Sequence, residues 1–208
     1  MLLEKYRPKL LKEFIGNKQA IEEIKKLIKD KEKILISGNA GIGKSLLIRL
    51  IAKEMKYEIA EDENIKELEK SSKQTSIFYK GKIILFELDM IRDIRGVSDI
   101  LKESNFPIIL ISSDYDKRLI NLKRFLKHIK LKKPRYDEIS NLLRRICKEE
   151  KIKLSENKIL EIAKNCKGDI RAAIMDLDSG FQRRDINIDI FEFFEKNCHR
   201  SSVGNKCR

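Results

Sequence analysis

The sequence predicts an α/β fold, a parallel sheet wrapped by helices and followed by a small helical domain. Two observations predict it. Short apolar runs at Ile34–Ser37, 83–86 and 107–111 alternate with segments whose apolar residues recur at helical spacing. Strands joined by helices in this way pair in parallel. Beyond Pro134 the strand signal stops and three helical segments follow one another.

Each element has its own reason. Asn17 stands where it can cap a helix over Lys18–Lys29, with Ile21, Ile24, Leu27 and Ile28 on one face. Ile34-Leu35-Ile36-Ser37 reads as a buried strand bounded by a glycine-rich turn. Leu46, Leu47, Leu50 and Ile51 predict a helix over Lys44–Met55. Residues 61–73, acidic and then basic, read as a surface helix with loops, and 83–86 as a second buried strand. A helix over 94–102 leads to the third strand at 107–111. The helical part is expected at 136–150, 156–165 and 169–179, with Gly168 stopping one helix and Asp169 capping the next. The expected division is 1–133, 134–181 and a tail over 182–208 with one short apolar helix at 188–194 and a frayed end.

Composition narrows the class. The 208 residues are 41% hydrophobic and 38% charged, enough apolar content for a core and too much charge for a membrane protein. No run approaches the roughly 20 apolar residues a bilayer span needs, and the start carries no secretory pattern, so the expectation is a soluble, cytoplasmic protein. A net charge of +13 draws polyanions, of which nucleic acid is the usual one. Lysine and isoleucine are also abundant throughout, so a general compositional bias accounts for the same excess. Cys147, Cys166, Cys198 and Cys207 are scattered, form no C-x-x-C pair and read as reduced thiols, not as zinc ligands.

Chemistry concentrates at one place. Gly38-Asn39-Ala40-Gly41-Ile42-Gly43-Lys44-Ser45 matches G-x-x-x-x-G-K-[ST] at every fixed position, between an apolar strand and an amphipathic helix. The glycines let the backbone curl until its N–H groups point at phosphate oxygens, at the positive end of the following helix. Lys44 is then expected to reach the β- and γ-phosphates of ATP, and the Ser45 hydroxyl to ligate Mg²⁺.

Further motifs fall in order around this loop. Glu4-Lys5-Tyr6-Arg7-Pro8-Lys9 with Phe14-Ile15-Gly16-Asn17, Asp93-Ile94-Arg95-Gly96-Val97, Arg144 to Ile152 and Gly168 to Leu177 (GDIRAAIMDL) together resemble the AAA+ clamp-loader ATPases. The likeness is greatest to the archaeal replication factor C large subunits and covers about residues 1 to 180. The resemblance implies a P-loop AAA+ domain with a three-helix lid. It implies nucleotide contacts from Tyr6, Arg7 and Ile15, and a second sensor at Arg171 that couples the γ-phosphate to the lid.

Departures from the family pattern qualify this. The family places D-E-x-D at the end of a strand; here Phe86 takes the metal-binding Asp position, while Glu87 and Asp89 fall on the second and third acids. Glu87 is then the catalytic candidate beside Lys44 and Arg171. A shifted register lets Asp89 serve the metal with Ser45, but leaves Met90 in the catalytic Glu position. Ser113 stands where the family's first sensor has Asn, and 123–127 lacks the arginine finger of the small subunits, as a large subunit would. The chain stops soon after the lid, where the family continues into a collar, and so reads as truncated or split.

As partners the resemblance implies clamp-loader small subunits, a sliding clamp and primed double-stranded DNA, and with DNA a place at the nucleoid. Arg92 and Arg95 are the candidates for backbone contacts that carry no sequence readout. No recognition helix, zinc finger or aromatic platform is legible. The expected function is an ATP-binding clamp-loader subunit. The alternative from the missing acid is a regulatory or scaffold nucleotide binder with little or no hydrolysis, and a helicase loader fits the motifs less well.

Overall fold

The computed structural model describes residues 1–62, 64–73, 81–90, 96–113, 119 and 122–179. The expected tail helix, Arg92 and Arg95 lie outside the described residues. Five parallel strands, β1 (Ile34–Ser37), β2 (Glu58–Asp62), β3 (Lys82–Glu87), β4 (Ile108–Ser112) and β5 (Lys127–Lys130), form one sheet in the order β2-β3-β4-β1-β5. Helices α2 (Lys18–Lys29) and α3 (Lys44–Met55) cover one face, and α4 (Ile65–Lys73) and α5 (Val97–Glu103) the other. The predicted α/β class is the observed one.

Alternation along the central strands divides the interior cleanly. Ile34, Ile36, Ile83, Leu85, Ile109 and Ile111 enter the core beneath α2 and α3. Leu35, Ile84, Phe86, Ile108 and Leu110 enter the second core, against Leu68 of α4 and Val97, Ile100 and Leu101 of α5. Both faces are therefore buried, as a parallel sheet requires, and the three central strands read as unbroken apolar runs.

The edges carry no such signal. β2 lies where the sequence predicts no strand, and within 61–73, expected as a surface helix with loops, the helix runs from Ile65 to Lys73. β5 reads Lys-His-Ile-Lys and buries only Ile129. Asn17 also corrects its expectation. It occupies the N-cap position with φ 55°, but its side chain makes no cap bond. Its amide instead donates to the Lys132 carbonyl at 2.9 Å and accepts from the Lys132 N–H at 2.8 Å, tying the start of α2 to the chain beyond β5.

Three helices, α6 (Tyr136–Glu149), α7 (Glu156–Asn165) and α8 (Ile170–Asp178), enclose a third core around Ile139, Leu143, Ile146, Ile159, Ile162, Ala173 and Leu177. Cys147 and Cys166 belong to it as free thiols, pushed up in pKa by burial. The short N-terminal helix α1 (Leu2–Lys5) packs here too, through Leu2, Leu3 and Tyr6, while Leu11 and Phe14 a few residues later pack on the sheet core. The N-terminal segment is thus a strap fastened to both bodies. Among the described residues no helix is long and apolar enough to cross a membrane.

Candidate functional site: a cleft over the glycine loop

The cleft lies where strap, sheet and helical domain meet and has a volume of about 650 Å³. Its floor is the loop 38–45. Gly41 and Gly43 take φ of +75° and +89°, a left-handed backbone that glycine adopts without cost, and Gly43 is the N-cap of α3. Neighbours press closely on this turn. A methyl group built on Gly43 would stand 3.0 Å from the Phe14 ring, and one on Gly41 only 2.0 Å from Asp169 Oδ1.

Lys44 is buried at 9% exposure, and its ammonium donates to the carbonyls of Gly38 at 2.7 Å and Asn39 at 3.0 Å. Ser45, next along α3, donates its hydroxyl to the carboxylate of Glu87 at the end of β3. Asp89, two residues on, turns to the end of β4. It accepts from the Ser113 N–H at 2.8 Å, from the Ser112 hydroxyl at 3.2 Å and from the Ser113 hydroxyl. Glu87, Asp89 and Ser113 all line the cleft. Phe86 does not; it is fully buried in the opposite core.

The strap supplies one wall through Tyr6, Arg7, Pro8, Phe14 and Ile15. Its geometry is fixed by charge. The Tyr6 hydroxyl donates to Glu150 at 2.6 Å, which raises the phenol well above its ordinary pKa, and Lys5 pairs with the same carboxylate at 2.5 Å. Backbone N–H groups of Lys9 and Leu10 donate to Glu13 and hold that carboxyl below the usual range. Arg49 of α3 grips Glu61 of β2 with two bonds of 2.6 and 2.7 Å, lowering the Glu61 pKa.

The opposite wall is helical. Arg171 sits in the first turn of α8 and faces the cleft with Ile170 and Ile174. Asp169 caps that helix as expected, accepting from the Ala172 N–H at 2.8 Å. All the residues named from sequence as nucleotide or metal contacts except Gly38 and Asn39 line this one space, and those two hold the Lys44 ammonium. Sequence reasoning missed Phe14, Arg49 and Arg145 in the lining and the approach of Asp169 to Gly41. Arg145 had a signal, because it shares a face of α6 with Leu142, which also lines the cleft. The other contacts are long-range and leave no local trace.

The arrangement suits an anionic ligand with an apolar ring. Loop amides at a helix N-terminus, a lysine ammonium and a lid arginine line the cleft together with aromatic and aliphatic side chains. A divalent ion also fits, held jointly. Among the described residues no cluster of three or more His, Cys, Asp or Glu could bind one alone. Ser45 and an adjoining carboxylate can complete the shell of a cation that arrives on phosphates, as Mg²⁺ does.

Comparison with known proteins agrees with this geometry. A family model described as the Rad17 P-loop domain matches residues 1–126, and one described as the RCF1/5-like AAA+ ATPase lid domain matches residues 141–180. Among curated proteins, the chain is 29% identical to a replication factor C large subunit of Methanosarcina mazei, over 93% of this chain and 38% of that protein. It is 31% identical to the large subunit of Pyrobaculum islandicum, over 84% of this chain and 51% of that protein, and 32% identical to that of Thermofilum pendens, over 85% and 49%. The chain therefore spans about half or less of the length of these relatives. Two solved structures of Thermotoga maritima RuvB variants superpose with TM-scores of 0.60 and 0.62 at 15% and 18% identity. Each covers 82% of this chain, against 64% and 63% of the RuvB chains, and at that identity the likeness concerns the fold alone.

Proposed function

Since the chain belongs to the Rad17 P-loop domain family and carries an AAA+ lid behind it, we propose that it is an ATP-binding subunit of a clamp-loader complex. The observation that carries this reading is the cleft itself. Its volume of about 650 Å³ lies within the range of small-ligand sites, and the loop 38–45, Lys44 and the lid helix converge on it. Similarity to replication factor C large subunits along most of the chain supplies the cellular task.

In this reading the loop amides and Lys44 hold the phosphates of ATP, and Ser45 helps hold Mg²⁺, which neutralises phosphate charge when bound. Tyr6, Arg7 and Ile15 form the wall against the base. Arg171 senses the γ-phosphate and sets the lid position; Glu87 and Asp89 are the acids of the site. The partners are clamp-loader small subunits, a sliding clamp and the backbone of primed DNA, contacted without sequence preference. The working division is 1–133 for the nucleotide-binding domain and 134–181 for the lid.

Lys44→Ala tests the premise. Removing a charged contact of about 1.5–3 kcal/mol lowers ATP affinity roughly tenfold or more in equilibrium binding. Unchanged affinity refutes the reading. Mixing the chain with small subunits, clamp and primed DNA tests the task, with ATP-dependent loading as the expected outcome.

A second reading, binding with little turnover, is favoured by a specific observation. Phe86 and Leu88 both point into the far core, and Asp89 is engaged by Ser112 and Ser113. Brisk steady-state hydrolysis by the purified chain would reject it.

A further inference from the structure

Positive charge is unevenly placed along this chain. Of the net +13, nine units reside in residues 117–136, which hold nine lysines and arginines and no acid, and the rest of the chain contributes four. A general bias toward lysine does not produce such a block. Within it, every exposed residue from 127 to 133 is a lysine or a histidine, namely Lys127, His128, Lys130, Lys132 and Lys133, while Ile129 and Leu131 turn into the sheet core. Elsewhere the exposed Lys5, Lys73 and Lys102 pair with Glu150, Glu69 and Asp99. Among the described residues, none of the four lysines of this ridge makes an ion pair.

β5 is an outer edge of the sheet, paired with β1 alone. From Lys127 to Lys130 it rises about 10 Å, the length of about three nucleotide steps along one strand of a duplex. Lysines on an edge strand also discourage pairing with another chain, but that role ends with the strand, whereas the charge continues through Lys132 and Lys133. From there it crosses to the lid. A methyl group built on Gly168 would stand 2.9 Å from Lys133 Cβ, and the exposed Lys167 precedes that glycine. Residues 127–133 expose no apolar side chain on which a peptide could anchor. We propose that the ridge from Lys127 to Lys133, continued by Lys167, seats the phosphate backbone of duplex DNA without reading its sequence. These contacts are additional to those expected at Arg92 and Arg95. The proposal rests on the DNA-binding part of the reading above and needs neither ATP nor partner subunits.

The experiment follows fluorescence anisotropy of a labelled DNA duplex about two helical turns long, with the full chain, no nucleotide and a series of salt concentrations. The triple variant Lys127→Ala, Lys130→Ala, Lys132→Ala binds roughly tenfold or more weaker at about 50 mM salt, and its log–log salt slope is shallower by about three. Lys133 is kept, because its stem packs on Gly168. Arginine at the same three positions retains affinity and slope. Alanine at Lys148, Lys153 and Lys158, exposed lid lysines off the ridge, changes both far less. Thermal melts check folding, and acetylation mapped by mass spectrometry shows Lys127, Lys130, Lys132 and Lys167 shielded by the duplex. The proposal is overturned if the ridge variant loses no more affinity than the lid variant, or if the ridge lysines acetylate equally with and without DNA. Displacement of the duplex by polyglutamate at matched charge concentration assigns the ridge to an acidic protein segment and overturns the nucleic-acid identity. A wild type that binds the duplex no better than the ridge variant does overturns the ridge and spares the DNA reading, whereas a wild type that binds no duplex overturns both.

Discussion

Gly41 and Asp169 are separated by 128 positions in sequence and touch across the cleft, and a methyl group at residue 41 is the sharpest probe of that contact. Built on the existing backbone, the new Cβ lies 2.0 Å from Asp169 Oδ1 and 2.1 Å from its Cγ, so the Asp169 carboxylate must shift. Two costs follow for Gly41→Ala. Its φ of +75° is left-handed, which costs a residue with a Cβ about 1–2 kcal/mol. Pushing Asp169 aside also loses its bond to the Ala172 N–H, a helix cap of about 1 kcal/mol. The sum is about 2–3 kcal/mol. Asp169→Ser removes the obstructing carboxylate while keeping a good cap, and by itself is close to neutral. In the double variant only the backbone cost remains, so the pair should couple by about 1 kcal/mol. Urea denaturation of the four proteins measures this directly. Additivity within about 0.5 kcal/mol would mean that the lid does not rest on the loop, and the reasoning fails.

Three further outcomes are expected. Asn17→Ala removes two bonds to Lys132 and places a Cβ residue without Asn's tolerance at φ 55°, costing about 2–3 kcal/mol in chemical denaturation, whereas Asn17→Gly recovers the backbone part only. Tyr6→Phe removes a phenolate transition lying above the ordinary tyrosine range from an ultraviolet titration, because Glu150 holds the Tyr6 phenol well above its ordinary value; a titration unchanged by the substitution would show that the strap is not docked on the lid. Asp62 has a buried oxygen with no hydrogen-bond partner, and burial raises its pKa. Its ionised form is therefore penalised in the fold at any pH above the raised value, and the penalty disappears as pH falls past the unfolded value near 3.8. Asp62→Asn accordingly stabilises the protein at neutral pH by less than about 1 kcal/mol, with no gain in acid, as thermal melts at two pH values would show.

What could be read from sequence follows from how information is stored along the chain. The three central strands and α3 carry their burial in consecutive residues, so Ile34–Ser37 and the loop after it are legible at once. β2 and β5 pair on one side only. Their side chains need not be apolar, and Glu58–Asp62 and Lys127–Lys130 gave no strand signal. Asn17 misled because the same residue type serves a cap and a left-handed turn, and only the distant Lys132 decides between them. Where a motif fixes spacing, most of the residues it names lie together along the cleft. What spacing could not supply was facing: the string Phe86-Glu87-Leu88-Asp89 aligns with the family's acids in more than one register, and the sheet alone says which side chain looks toward Ser45.

The double fastening of the strap has a mechanical consequence. Leu2 and Tyr6 are fastened to the lid, through Asp178 and Glu150, while Leu11 and Phe14 are packed on the sheet. Residues between those two anchors, Arg7 and Pro8 among them, bridge two rigid parts like the leaf of a hinge, and they also form one wall of the cleft. Rotation of the helical body therefore cannot leave the shape of that wall unchanged. Whatever occupies the space between the walls feels the angle of the hinge at both of its ends.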